Sequence, residues 1–169
     1  MKIYIVGAVS SGKSTLAKKL SNGLKISYKS LDEVVHIPDK SNCSGNKKRE
    51  TKERDEIFYS IMQQKDWIIE DTGRPCFEEG LKQADTIVLL EISSIIRNYR
   101  IIKRWVKQRL GIEKCIYNPR YEMLKSMLKW SKDYDTGKDD LKARISRFQE
   151  KVVVLTNSKD IKAFMHKYF

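Results

Sequence analysis

A short glycine-containing run near the start of the chain constrains its fold more than any other feature. The run covers residues 7–15 and matches the pattern G-x-x-x-x-G-K-[ST]. It follows an apolar stretch at 2–6 that is rich in β-branched and aromatic residues, which is typical of a buried strand. It precedes a stretch at 16–20 whose apolar residues recur at helical spacing. The pattern therefore predicts a phosphate-binding loop, or P-loop, between a strand and a helix.

The residue types of this loop suit the binding of phosphate groups. Glycines allow a tight turn that directs successive backbone N–H groups into one concavity, and the positive end of the next helix points to the same place. We expect Lys13 to reach the β- and γ-phosphates of a nucleotide, the Ser14 hydroxyl to bind Mg²⁺, and Thr15 to lie near the α-phosphate. The predicted nucleotide-binding residues are Gly7, Ser10, Ser11, Gly12, Lys13, Ser14 and Thr15.

Length and composition favour one folded domain over residues 1–169, because 40% of the residues are hydrophobic and only three are proline. Apolar stretches stay well short of twenty residues and the first predicted strand starts at residue 2. We therefore expect no transmembrane helix, no signal peptide and no membrane partner. Cys43, Cys76 and Cys115 lack C-x-x-C spacing, which argues against a zinc site or a disulfide framework and indicates a cytoplasmic protein.

Strand and helix patterns alternate along the chain. The predicted strands are 2–6, 26–31, 67–70, 85–91 and 152–155. The predicted helices are 13–22, 48–65, 76–84, 94–109, 120–132, 138–149 and a last one that Ser158 caps. A polar stretch at 38–46 is predicted to be a loop. This alternation predicts an α/β fold of three layers, the P-loop NTPase fold, in which helices cover both faces of a five-stranded parallel sheet.

Acidic residues and one arginine follow two of the predicted strands. Asp32 closes the strand at 26–31, at the edge where α/β proteins bind ligands. It either orients an acceptor hydroxyl or a Mg²⁺-bound water, or serves as an N-cap or turn aspartate. Glu70 and Asp71 follow the strand at 67–70, where a carboxylate could bind Mg²⁺, and we assign Glu70 to the metal. Arg74 could hold an anionic group of an acceptor or form a surface salt bridge.

Basic residues dominate the second half of the chain. Between residues 97 and 151 there are 16 Lys/Arg against 7 Asp/Glu, within an overall net charge of +12. Arg97, Arg100 and Arg104 recur at spacings of three and four, which predicts that they share one helix face. These arginines could hold nucleotide phosphates beside the P-loop. Alternatively, the basic region could bind nucleic acid through its phosphates, or form a solvated face.

These motifs resemble the adenylate-kinase-like nucleotide kinases, and nearly the whole chain resembles the FlaR-type DNA topology modulation proteins. The matching segments are 3–7, 31–32, 53–57, 67–70 and 97–105. The resemblance implies ATP as the nucleotide, a basic helical lid at about 94–133 and an acceptor-binding insertion at about 33–65. It further implies that Arg54 and Arg74 bind the acceptor and that Arg100 and Arg104 bridge the donor and acceptor phosphates. Arg97 is assigned to substrate binding with them.

Two functions remain open on this basis. One is a kinase that transfers the γ-phosphoryl group of ATP to a nucleotide or another small acceptor, with Lys13, Asp32, Arg100 and Arg104 as catalytic residues. The other is an ATP-binding regulatory protein that associates with DNA. A GTPase is disfavoured, since the segment 156–160 lacks the N-K-x-D spacing and position 74 is arginine where D-x-x-G requires glycine.

Overall fold

The computed structural model describes residues 1–39, 45–113 and 119–168. The strands are β1 (Lys2–Gly7), β2 (Tyr28–Ser30), β3 (His36–Pro38), β4 (Asn46–Lys48), β5 (Trp67–Asp71), β6 (Thr86–Leu90) and β7 (Val152–Leu155). The helices are α1 (Lys13–Leu24), α2 (Leu31–Val35), α3 (Thr51–Met62), α4 (Glu78–Gln83), α5 (Ser94–Arg109), α6 (Tyr121–Asp135), α7 (Leu141–Ile145) and α8 (Ser158–Met165). Short 3₁₀ turns cover Pro75–Phe77 and Ser146–Lys151.

Five of the strands form one parallel sheet in the order β2-β5-β1-β6-β7. The chain runs from the central β1 to the strands on one side and then crosses to the strands on the other side. Such a reversal opens a crevice at the carboxyl ends of the strands, next to the strand where the order changes. The loop that follows β1 therefore lies where an α/β sheet binds its ligands.

Helices cover both faces of the sheet, which explains why its strands are almost continuously apolar. On one face, Leu16 of α1 and Phe164 of α8 belong to the same core cluster as Ile3 and Ile5 of β1. On the other face, residues of α2, α3, α4, α6 and α7 pack with Tyr4 and the alternate residues of the strands. The three-layer α/β fold and its five parallel strands are as the sequence predicts.

Local structure departs from the prediction at several places. The helix α2 was not predicted, and Asp32 lies in its first turn rather than at the end of a strand. Residues on both sides of the predicted loop at 38–46 form β3 and β4, an antiparallel pair whose sequences are too polar to signal strands; residues 40–44 lie outside the described ranges. The predicted helix at 138–149 divides into α7 and a 3₁₀ turn. Asn157 rather than Ser158 caps α8, because its side chain accepts hydrogen bonds from the N–H groups of Lys159 and Asp160.

Two further predictions concern the cysteines and membrane-spanning helices. Cys76 is an exposed free thiol, while Cys43 and Cys115 lie outside the described residues. Within the described ranges, every helix is too short or too polar to cross a membrane.

Candidate functional site

The loop between β1 and α1 has the backbone geometry of a tight phosphate-binding turn. Gly7 has a φ of 152°, and a Cβ at this position would lie 2.7 Å from the carbonyl oxygen of Leu90 on β6. Gly12 has a φ of 104° at the start of α1, and Ser10 adopts a left-handed φ of 58°. Only glycine tolerates the first of these positions, and the strained serine is typical of a functional loop.

The amino end of α1 has unused hydrogen-bonding capacity. Among the described residues, no side chain accepts a hydrogen bond from the first N–H groups of α1, and its first turn contains no acidic residue. The Ser11 hydroxyl is buried, and the described chain offers it no hydrogen-bond partner. A helix end whose N–H groups lack a cap and whose dipole is positive fits an anion such as phosphate.

Lys13 places a buried ammonium group inside this loop. Its Nζ donates hydrogen bonds to the carbonyl oxygens of Gly7 (2.9 Å) and Ala8 (2.8 Å). Burial lowers the pKa of Lys13, while the nearby carboxylates of Glu70 and Asp71 act in the opposite direction. The ammonium is therefore positioned by the loop's own backbone and has carboxylates close by.

Two oxygen ligands suited to Mg²⁺ meet beside the loop. The Ser14 hydroxyl, in the first turn of α1, donates a hydrogen bond of 3.0 Å to Oε1 of Glu70 on β5. The neighbouring Asp71 is engaged differently, since its buried carboxylate accepts hydrogen bonds from the backbone N–H groups of Gly73 and Arg74. Hydroxyl and carboxylate oxygens are the ligands that Mg²⁺ prefers in proteins, and it usually takes only one or two of them.

Helix α5 extends basic side chains over the same loop. Nη1 of Arg100 donates hydrogen bonds to the carbonyl oxygens of Ser10 (3.3 Å) and Ser11 (3.1 Å). Arg104, one turn later, faces the same cleft and forms an ion pair of 3.3 Å with Glu113. The structure thus brings Arg100 into direct contact with the P-loop, and Arg104 into the lining of the same cleft.

Arg97 does not share this face, contrary to the sequence prediction. Only 1% of its surface is exposed, and it donates hydrogen bonds to the carbonyl oxygens of Ile92 and Ser131 and to the carboxylate of Asp135, while its guanidinium lies on the ring of Tyr134. Three residues along a helix still differ by about 60° in direction, and that rotation turns Arg97 toward α6. Arg97 therefore attaches α5 to α6, and its assignment to substrate binding does not fit this position.

A large basic cleft of about 1390 Å³ contains these groups. It runs from Ser30 at the end of β2 and Glu33 of α2, past the P-loop, to one face of α8. Its lining contains eight basic residues and three glutamates. The basic residues are Lys13, Lys18, Lys19, Arg100, Lys103, Arg104, Lys107 and Lys162. Such an excess of positive charge favours a ligand with several negative charges.

A second polar cluster lies beside the cleft rather than in its lining. Arg74 donates hydrogen bonds to Asp71 and to Asp32, which lies in the first turn of α2. Burial alone would lower the pKa of Arg74, but the two carboxylates hold it above its ordinary value. Arg54 on α3 forms an ion pair with Asp55 at 2.6 Å. Asp32 and Arg74 thus follow β2 and β5, while Arg54 lies on α3, and both arginines are paired with carboxylates.

Comparison with known proteins identifies the fold. No protein-family model matches the chain, and no curated protein matches it in sequence. Among solved structures, a shikimate kinase from Bacteroides thetaiotaomicron aligns with a TM-score of 0.61 and 13% identity, covering 99% of this chain and 95% of that chain. A shikimate kinase from Acinetobacter baumannii, solved with shikimate, aligns at 0.52 and 19% identity over 98% and 89% of the two chains. An unliganded sugar kinase from Janibacter aligns at 0.56 and 13% identity over 99% and 92%.

The fold is that of the P-loop kinases. This confirms the fold that the resemblance to adenylate-kinase-like proteins implies, whereas the resemblance to DNA topology modulation proteins stays a prediction. Sequence reasoning missed the contribution of α8, whose Ile161, Lys162 and Met165 line the far end of the cleft. Met165 follows Lys162 by three residues and Ile161 by four, which would have indicated a common helix face. The sequence does not indicate that this face turns toward the P-loop.

Proposed function

We propose that the protein is an ATP- and Mg²⁺-dependent kinase that transfers the γ-phosphoryl group of ATP to a small acceptor. The observation that carries the proposal is the convergence of Lys13, Arg100 and the Ser14–Glu70 pair on one loop with uncapped N–H groups. Phosphoryl transfer depends mainly on positioning and on neutralising the charge of the transferred group, and these are the groups it needs. We place this activity in the cytoplasm, where an exposed thiol such as that of Cys76 stays reduced.

On the donor side, the backbone N–H groups at the start of α1 would bind the phosphate oxygens of ATP. The Lys13 ammonium would exchange its two loop carbonyls for the β- and γ-phosphates, and Arg100 would exchange its contacts with Ser10 and Ser11 for the transferred group. Arg104 would join it after leaving its ion pair with Glu113. Each exchange replaces a neutral carbonyl group, or the exposed carboxylate of Glu113, by a more highly charged phosphate group. The hydrogen bond becomes stronger as a result.

The Ser14 hydroxyl and the Glu70 carboxylate would hold Mg²⁺. Bound there, the ion would neutralise the charge of the β- and γ-phosphates. We prefer Glu70 to Asp71 for this role because the Asp71 carboxylate already accepts hydrogen bonds from two backbone N–H groups and from Arg74.

On the acceptor side, Asp32 would orient the attacking group and Arg74 and Arg54 would hold an anionic part of the acceptor. The Asp32 side chain is 65% exposed, so an acceptor hydroxyl could reach its carboxylate. A bond then forms between that oxygen and the γ-phosphorus while the bond to the bridging oxygen of ADP breaks, and Asp32 accepts the hydroxyl proton. The neighbours named shikimate kinase and sugar kinase support a small acceptor rather than a macromolecule.

One observation favours a second candidate, an ATP-binding regulatory protein that associates with DNA. The excess of basic residues around the cleft is larger than one triphosphate requires. If DNA binds there through its phosphates, its affinity should fall steeply as the salt concentration rises. A titration of labelled duplex DNA at two salt concentrations tests this candidate.

The kinase proposal is tested by measuring ADP formation from Mg·ATP with a panel of nucleoside monophosphates, nucleosides and small hydroxylated metabolites. We expect turnover that depends on one acceptor class and is lost in Lys13→Ala and Arg100→Ala. Lys129→Ala, an exposed lysine of α6 outside the cleft, is the matched control. Slow hydrolysis that no acceptor stimulates would contradict the proposal and favour the regulatory alternative.

A further inference from the structure

Helix α5 turns its apolar face outward. Ile95, Tyr99, Ile102, Val106 and Leu110 follow one another at spacings of four, three, four and four residues and form one continuous row, here named the outer stripe. Their exposed fractions are 82%, 62%, 46%, 41% and 68%. A surface helix ordinarily directs such a row into the core. The described chain leaves this one in contact with solvent.

The inward faces of the same helix are mostly polar. Arg97 and Gln108 are buried against the body of the protein, and Arg100 and Arg104 face the cleft. Ile101 is the buried aliphatic residue among them. The helix is therefore inverted relative to an ordinary amphipathic helix. The side that would normally be apolar contains the arginines that face the cleft and the arginine that binds α6. A row of exposed aliphatic and aromatic side chains of this kind marks an interaction surface.

The charges beside the outer stripe restrict what can cover it. Helix α5 contains six basic residues and no acidic residue. From their helical positions, Lys103 borders one side of the outer stripe, at the edge it shares with the cleft, and Arg109 borders the other. Lys107 lies further round the helix, toward the cleft. The covering surface must therefore be apolar in the middle and negatively charged at its margins.

A second copy of the chain fits these requirements poorly. Two α5 helices packed across a twofold axis would bring like charges together at both margins. The 16-residue helix is about 24 Å long and about 10 Å wide, which is far less than the roughly 800 Å² that each partner buries in a stable dimer. A coiled coil with an acidic helix fits no better, because the outer stripe covers about two heptads where three or four are needed.

We propose that the outer stripe binds the surface of an anionic lipid bilayer. The row of apolar side chains would enter the boundary between headgroups and acyl chains, while Lys103 and Arg109 extend to the lipid phosphates. The prediction of no membrane partner rested on the lack of a spanning segment, and an interfacial helix needs none. The inward arginines of α5 remain over the P-loop in this arrangement, so the protein would bind nucleotide while docked.

The test is flotation of the full-length protein with vesicles of phosphatidylcholine alone and of phosphatidylcholine mixed with phosphatidylserine. We expect binding to the anionic vesicles only, weakened by salt, and lowered at least ~5-fold by Ile102→Gln because a polar amide then occupies the centre of the outer stripe. Tyr59→Gln is the control. This residue is 65% exposed, but it lies on α3 and outside the outer stripe.

Three results would overturn the proposal. The first is no flotation with anionic vesicles by a protein whose circular dichroism and melting curve show that it is folded. The second is flotation that Ile102→Gln leaves as strong as in the wild type, since charge alone would then explain it. The third is a dimer in sedimentation velocity that Ile102→Gln dissociates while vesicles do not bind, which would identify a second copy as the occupant. None of these readouts requires kinase activity.

Discussion

The proposed donor and acceptor sites are built in opposite ways. On the donor side, one contiguous segment supplies backbone N–H groups, a lysine and a serine, and their geometry is fixed by β1 and α1. On the acceptor side, Asp32, Arg74 and Arg54 come from α2, the turn after β5, and α3. Backbone groups held by a strand and a helix cannot rearrange easily, whereas side chains can exchange partners. If the proposal holds, the donor site is preformed, whereas the acceptor site must rearrange its side chains to bind a ligand.

The two proposed sites also differ in how many of their hydrogen-bond donors are already used. Around the P-loop the described chain leaves donors unused, at the start of α1 and at the buried Ser11 hydroxyl. Around Arg74 the guanidinium is already engaged by Asp71 and Asp32. An anionic acceptor must compete with Asp32 for Arg74, so its affinity should be modest and its binding should reorganise the pair. The donor side requires no such exchange for its backbone contacts.

The largest effect is expected on the donor side, from Lys13→Ala. Loss of the buried ammonium removes charge stabilisation of the transferred group, and we expect kcat/KM for ATP to fall by about 10³-fold. Steady-state kinetics on the wild type, this variant and Lys129→Ala measure the effect. A fall of less than tenfold would mean that Lys13 is a structural lysine of the loop.

Arg100→Ala should have the next largest effect, a fall in kcat of about 10²-fold, because a guanidinium that now lies on the P-loop is removed. Arg100→Lys should restore only part of the rate, since an ammonium lacks the planar fork of arginine. Arg109→Ala, on the same helix but outside the cleft lining, provides the comparison. Equal losses in Arg100→Ala and Arg109→Ala would indicate a general effect of charge on α5.

On the acceptor side, Asp71→Asn should mainly affect stability. The Asp71 side chain is fully buried and organises the turn that carries Arg74, so we expect the free energy of unfolding to drop by about 2 kcal/mol. Urea denaturation measures this drop. Asp55→Asn breaks an exposed ion pair and should cost less than about 0.5 kcal/mol. If the two variants are equally stable, the turn does not depend on this carboxylate.

The smallest effect should come from Arg74→Gln. We expect the KM for the acceptor to rise about tenfold while the KM for ATP changes less than about twofold, because a single charge-assisted contact on the acceptor is lost. Arg147→Gln, which loses an exposed partner in Glu78, is the control. A rise in the KM for ATP instead would place Arg74 on the donor side and remove the contrast between the two sides.

The same contrast explains how much could be predicted from the sequence. The P-loop was predictable because strand, glycines, lysine and helix are contiguous, and the 94–109 helix was predicted with the bounds observed for α5. The short pair β3–β4 was not, since its residues are polar and its pairing depends on tertiary structure. Arg97 was grouped with Arg100 by spacing alone. Ser131 and Asp135 of α6, which the spacing rule ignores, determine that Arg97 is buried.

The measurement that tests the central claim most directly follows the γ-phosphoryl group itself. ATP carrying a label on its γ-phosphate is incubated with the protein, Mg²⁺ and the acceptor that stimulates ADP formation most strongly, and the products are separated. We expect the label on the organic acceptor, in an amount equal to the ADP formed, and its loss in Lys13→Ala. Label found only in inorganic phosphate, whatever acceptor is present, would contradict the account and leave a protein that hydrolyses ATP without transferring it.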